Sequence, residues 1–299
     1  MSTQASLESL REFEIPGHVT LAQGNGGLTK MNVVAKHGTA EVYLHGAHIT
    51  GFQKNGEPPL LFLSRRSRFA ANEAIRGGVP ICFPWFGRRD GDVAHGFARV
   101  AEWNLTNTSA AADGKVTLNF RLPTPPERAA WGRLRAEFVV TVSDKLTMEL
   151  IVANDSTGEA INIENCLHTY FAVGDIGAVK IRGLKGARFL DKTDRDAEKL
   201  ETHEALPIVA ETNRIYHDTP GPMEIVDTQF RRVIRIEKSG SADTVVWNPW
   251  TTQIMPDFDP EEHSGMICVE SGNVARNKIA LAPGRASTVR VELSTAPLQ

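Results

Sequence analysis

The chain has 299 residues, 41% of them hydrophobic and 23% charged, with a formal net charge of −3. This is the composition of a globular protein long enough to bury a sizeable core, and it excludes a broadly basic nucleic-acid-binding surface. Three dispersed cysteines (Cys82, Cys166 and Cys268) read as reduced core thiols, and no apolar run approaches a membrane span.

Residues 4–13 place Ala5, Leu7, Leu10 and Phe13 at helical intervals, which predicts a short peripheral helix within an N-terminal extension, residues 1–20. The same segment lacks the apolar core of a secretory signal, so a cytoplasmic protein is expected and the sequons at Asn104 and Asn154 are chance matches. Gly24-Asn25-Gly26-Gly27 reads as a turn, because no helical pattern follows to make it a phosphate loop. Short β-like runs then begin at 31–37, 40–44 and 47–53. His45 and His48 lie within this region, but three residues apart on extended chain they point to opposite faces, so no metal is expected there.

The stretch from Arg76 to Arg99, RGGVPICFPWFGRRDGDVAHGFAR, is different. Pro80 and Pro84 interrupt an apolar run and argue against a helix interior or a central strand. An irregular aromatic segment bracketed by two arginines, with His95 inside it, reads as the anion-binding wall of a small-molecule site. The alternative is a buried crossover whose arginines satisfy backbone carbonyls.

Further β-like runs follow at 100–107 and 115–122, and those at 135–143 and 146–154 form a hairpin around Asp144-Lys145. Others lie at 159–171, 178–183, 187–191, 223–228, 231–237, 243–248, 266–270 and 287–293. With no long amphipathic helix, linker or repeat, the pattern predicts one all-β domain over 1–299, a large antiparallel β-sandwich with a few short helices. On the strand around 166–171, Cys166, His168 and Tyr170 share one face and Leu167 and Phe171 the other. Glu270 ends the otherwise apolar run MICVE. A carboxylate buried there must be paired or have its pKa raised, and a raised value suits a general base near neutral pH.

Taken together, RGGVPICFPWFG, AHGFAR, HTYFAVGDI, GLKGARFLDK, VVWNPW with a downstream Met-Pro-Asp-Phe, and ICVESGNV before LAPG resemble the hexose-6-phosphate mutarotase branch of the aldose 1-epimerase family, from about Gly24 to the C-terminus. The resemblance implies a galactose-mutarotase-like supersandwich that interconverts the anomers of a sugar phosphate without metal or organic cofactor. It implies His168 as general acid and Glu270 as general base, the glutamate starting ionised and the histidine protonated. It implies Arg76, His95 and Arg99 as substrate contacts, the arginines at the phosphate end, and Asp191 as a contact to sugar hydroxyls. Ala94 stands where family members carry a polar side chain, so one substrate hydrogen bond is missing or supplied elsewhere. No nucleic acid, membrane or partner chain is implied, and a monomer is the default. Two rivals stay open: an aldose 1-epimerase for non-phosphorylated sugars, and a non-catalytic sugar-phosphate sensor of the same fold.

Overall fold

The computed structural model describes residues 7–124 and 126–298. The strands Leu134–Val142 and Leu146–Asn154 bury every second side chain over most of their length, as expected of a sheet with one face on a core. They lie within a nine-stranded antiparallel sheet. Its order is Ala205–Pro207, Val179–Arg182, Met223–Asp227, Arg232–Ser239, Ala286–Pro297, Leu146–Asn154, Leu134–Val142, Val116–Arg121 and Asn104–Ala110. An eight-stranded sheet runs Ala197–Leu200, Arg188–Asp191, Thr212–Tyr216, Asp243–Asn248, Met266–Asn273, Asn165–Leu167 and Ile81–Cys82, with Tyr170–Ala172 also pairing with Met266–Asn273. The main core joins the two sheets: Phe138, Leu150 and Val291 from the first pack in one cluster with Leu167, Phe171, Val246, Ile267 and Val269 from the second. A four-stranded sheet spans Val19–Gln23, Thr29–Val34, Gly38–Tyr43 and His48–Lys54. The expected antiparallel sandwich is therefore what the chain forms.

Within the second sheet, Asp243–Asn248, Met266–Asn273, Asn165–Leu167 and Ile81–Cys82 are buried on both faces, and this is what positions the site. All eight residues of Met266–Asn273 are buried. Ile267 and Val269 enter the main core, whereas Met266 and Cys268 pack on the opposite face with Tyr170, Trp247 and Phe258. The division of faces read from the sequence at 166–171 also holds, with Leu167 and Phe171 in the core.

The proline-broken run is an edge. Ile81–Cys82 ends the sheet, and the carbonyls of Pro80 and Pro84 accept hydrogen bonds from His168 N and Glu164 N, both at 3.0 Å. Neither proline needs an N–H to complete that ladder. Just before it, Gly78 has φ 59°, and a Cβ there would lie 2.1 Å from the carbonyl oxygen of Ile49. Gly78→Ala is accordingly expected to destabilise the fold by about 2–5 kcal/mol, combining left-handed backbone strain with overpacking. Denaturant unfolding measures this, and an unchanged midpoint would mean that the close approach is not required. His48 Nε2 donates to Gly77 O (2.8 Å) and His45 Nε2 to Glu73 O (2.7 Å). The two histidines thus anchor the backbone that carries Arg76.

Several boundaries differ from the sequence reading. Residues 4–6 of the expected helix lie outside the described residues, and the rest is the helix Leu7–Leu10 with a 3-10 turn Arg11–Phe13. Leu10 reaches the core, so the segment is more than peripheral. The run at 159–171 is three short strands, not one. Val19–Gln23, Ala197–Leu200, Ala205–Pro207, Thr212–Tyr216 and Ile279–Leu281 are strands the pattern did not mark. Being short or alternating weakly, they owe their conformation to ladder partners more than to propensity. Among the described residues, no helix is long and apolar enough to cross a membrane.

Candidate active site

Backbone hydrogen bonds explain why His168 faces Glu270. Asn165–Leu167 pairs with Ser271–Asn273 and Tyr170–Ala172 with Met266–Cys268, so the ladder is interrupted at His168 and Thr169. There the chain bonds instead to the edge run: His168 N donates to Pro80 O and Tyr170 N to Gly78 O. The interruption leaves the imidazole beside Glu270, with His168 Nε2 at 3.2 Å from Glu270 Oε1. The other carboxylate oxygen accepts from the Cys166 thiol at 3.5 Å.

These two groups line a cleft of about 850 Å³ on the outer face of the sheet, with Arg76, His95, Tyr170, Asn213, Trp247 and, nearer the surface, Arg88, Lys192 and Gln253. Tyr170 stacks on His168 with ring centroids 4.9 Å apart and planes inclined by 14°, and Trp247 meets both rings edge-on. The aromatic platform fixes the imidazole and offers an apolar surface to a ring-shaped ligand. His95 has φ 63° and its Nδ1 accepts from Gly87 N at 3.4 Å, which leaves Nε2 as its donor. Burial, reinforced by Arg99 and Arg76, holds its pKa down to about 3, so it stays neutral.

Burial pushes Glu270 well above the ordinary carboxylate range, opposed by the Cys166 hydrogen bond and the Arg99 charge. It pushes His168 well below the ordinary imidazole range, and His95, Arg99 and Arg76 add to the effect. Carboxylic acid with neutral imidazole and carboxylate with imidazolium contain the same number of protons. They differ only in where one proton sits along the 3.2 Å contact. The contact accommodates either arrangement, and burial of both groups, with the nearby cations, favours the neutral pair over the expected ionised glutamate beside a protonated histidine.

Arg76 is fully engaged on one side. Its Nε and Nη2 donate to the two carboxylate oxygens of Asp257 at 3.1 and 3.2 Å, and Nη1 donates to the Tyr170 hydroxyl at 3.1 Å. Tyr170 and Asp257 together hold its proton more firmly than usual. Among the described residues, His168, Cys268 and Glu270 bring donor atoms within 4.8 Å of one another. Burial raises the pKa of the Cys268 thiol, and His168 Nε2 and Glu270 Oε1 are directed at each other.

The sequence pattern of the family described as Aldose 1-epimerase matches residues 31–294. The chain belongs to the aldose 1-epimerase family. An Escherichia coli protein named as a candidate glucose-6-phosphate 1-epimerase is 35% identical over 240 residues, covering 78% of this chain and 79% of that protein. A Cenchrus ciliaris protein of the same name is 32% identical over 275 residues, covering 88% and 83%. The crystal structure of a candidate mutarotase from Salmonella typhimurium matches with a TM-score of 0.87 at 28% identity over 95% of each chain.

Against the aldose 1-epimerase expectations, the fold brings His168, Glu270, Arg76 and His95 to one cleft. Two expected contacts are not on its wall. Arg99 is largely buried, its Nε has no hydrogen-bond partner, and its charge is felt by His95, His168 and Glu270. Asp191 is a turn cap: its carboxylate accepts from Thr193 N at 3.1 Å, Thr193 Oγ1 at 2.6 Å and Lys199 Nζ at 2.8 Å. Those bonds hold it ionised, and it does not line the cleft, whereas its neighbour Lys192 does. Asp257 was not singled out from the sequence. Its only signal is its place in the Met-Pro-Asp-Phe motif, and 181 residues separate it from Arg76.

Proposed function

We propose that this aldose 1-epimerase family member is a hexose-6-phosphate mutarotase, an isomerase that interconverts the α and β anomers of glucose 6-phosphate. The observation that carries the reading is the His168–Glu270 contact of 3.2 Å on the floor of a cleft that also holds Arg76. Glu270 removes the proton from the C1 hydroxyl while His168 Nε2 delivers one to the ring oxygen, and the C1–O5 bond breaks to give the open aldehyde. Rotation about C1–C2 turns the other carbonyl face to the C5 hydroxyl. Reclosure returns both protons to their starting positions, so the pair ends as it began. Neutral His95 donates from Nε2 to a sugar oxygen, and the Trp247 and Tyr170 rings cover the apolar side of the pyranose. Two positioned proton-transfer groups, each contributing ~10²–10⁴-fold, suffice for a reaction that already proceeds in water.

The test is NMR saturation transfer between the anomers of glucose 6-phosphate, with glucose and galactose alongside. Exchange accelerated only for the phosphorylated sugar is the expected result; acceleration of none would sink the catalytic reading. One observation favours a second reading, an aldose 1-epimerase for free sugars: Arg76 already has a carboxylate partner and Arg99 is off the wall. Equal acceleration of the free sugars would establish that alternative.

A further inference from the structure

The Arg76–Asp257 pair has a consequence that the sugar-phosphate reading does not contain, although it rests on that reading. A guanidinium has five N–H groups in a fixed plane. Three are engaged here, two by Asp257 and one by Tyr170, leaving one on each terminal nitrogen. Arg76 therefore keeps two N–H donors, one on each terminal nitrogen, for an anion even while Asp257 stays in place. The Asp257 carboxylate also cancels its charge at close range: Nη2 lies 3.0 Å from Oδ2, and both side chains are largely shielded from solvent. An anion arriving there meets N–H donors whose positive charge Asp257 largely offsets.

We propose that Asp257 is a positioning and specificity-determining residue: it aims the free N–H donors of Arg76 into the cleft and weakens their grip on anions, so that inorganic phosphate does not occupy the site and a sugar phosphate needs its ring contacts to be held. The location of Asp257 fits this role. It follows the rim residues Gln253 and Met255, on the segment that leads from Trp250 back to the buried Phe258. Through Arg76 and the Tyr170 hydroxyl it connects to the ring that stacks on His168. Removing the negative charge leaves a bare cation facing the ligand; a carboxylate within hydrogen-bond reach of a partly buried cation offsets a large share of its field.

The experiment is a calorimetric titration of the full-length protein and of Asp257→Asn with inorganic phosphate, together with anomer-exchange kinetics on glucose 6-phosphate. Asparagine keeps an acceptor for the guanidinium and removes the charge. Phosphate is expected to bind Asp257→Asn about tenfold more tightly than wild type, with KM for glucose 6-phosphate falling in parallel and kcat falling as release slows. Asp257→Ala should shift phosphate binding in the same direction, which covers failure of the asparagine variant to fold. In Arg76→Gln/Asp257→Asn the gain should vanish, because the two groups act through each other. Phosphate binding that is unchanged or weaker in both Asp257 variants would overturn the proposal and leave Asp257 as a plain structural anchor. So would a gain that survives without Arg76. Tighter phosphate binding with no anomer exchange in any protein would sustain the proposal while sinking the mutarotase reading, so the two can fail separately.

Discussion

Glu270→Gln is expected to slow anomer exchange on glucose 6-phosphate by about 10²–10⁴-fold, equivalent to roughly 3–5 kcal/mol of transition-state stabilisation. The amide has nearly the same shape and still accepts from Cys166, so the fold should tolerate it. The substitution also relieves the cost of a buried ionisable group, and the thermal midpoint should stay level or rise. A rate within a few-fold of wild type would remove Glu270 from the reaction; a low rate with a lowered midpoint would point to misfolding instead.

The wild-type pH profile makes a linked check. The working pair holds one exchangeable proton, and activity is lost on the acid side only when a second one enters. The second proton must charge His168, and burial with His95, Arg99 and Arg76 nearby places that event well below the ordinary value of 6.5. Activity should therefore stay level as pH falls from about 8 to 6.5 and decline only beneath it. A half-loss already at about pH 6.5–7 would mean that His168 titrates as an ordinary exposed imidazole.

Arg76→Gln is expected to lower kcat/KM for glucose 6-phosphate by ~100-fold, since two charge-assisted hydrogen bonds to a phosphate at ~1.5 kcal/mol each are lost. The loss should appear mainly in KM, because the phosphate lies away from the reacting carbon. Released from its partner, the Asp257 carboxylate then faces the phosphate and repels it. Any exchange of free glucose should be unchanged, as a sugar without the ester never uses those donors. An equal loss on both substrates would assign Arg76 to holding Tyr170, and through it His168, in place.

Both variants act on residues that stand out in the sequence, and the reason is local. Glu270 and His168 are polar interruptions in apolar runs of the sequence, where a period of two suggests which face each occupies without knowledge of the partner strand, although the structure breaks the strand at His168. The hairpin Leu134–Val142 with Leu146–Asn154 was legible for the same reason, its alternation and tight turn being close in sequence. Pro80 and Pro84 excluded a central strand because proline lacks a donor wherever it sits.

Assignments that depend on what lies opposite could not be read this way. Thr212–Tyr216 is an inner strand of the sheet, yet its TNRIY pattern becomes a strand only between Arg188–Asp191 and Asp243–Asn248. Asp191 and Asp257 show the same limit from two sides. In sequence each is an acidic residue in a motif of the family, and Asp191 was the one expected at the sugar. Its own turn and Lys199 took its carboxylate, while the path from Trp250 to Phe258 carried Asp257 to Arg76. By itself the sequence determined the fold class and marked His168, Glu270 and the proline-broken run after Arg76 as candidates, because propensity, alternation and lost donors are properties of a few neighbouring residues; the roles of acid and base were implied by the family resemblance. Only the tertiary structure decided which charges meet, because a hydrogen bond across 181 residues depends on where two distant backbones are brought together.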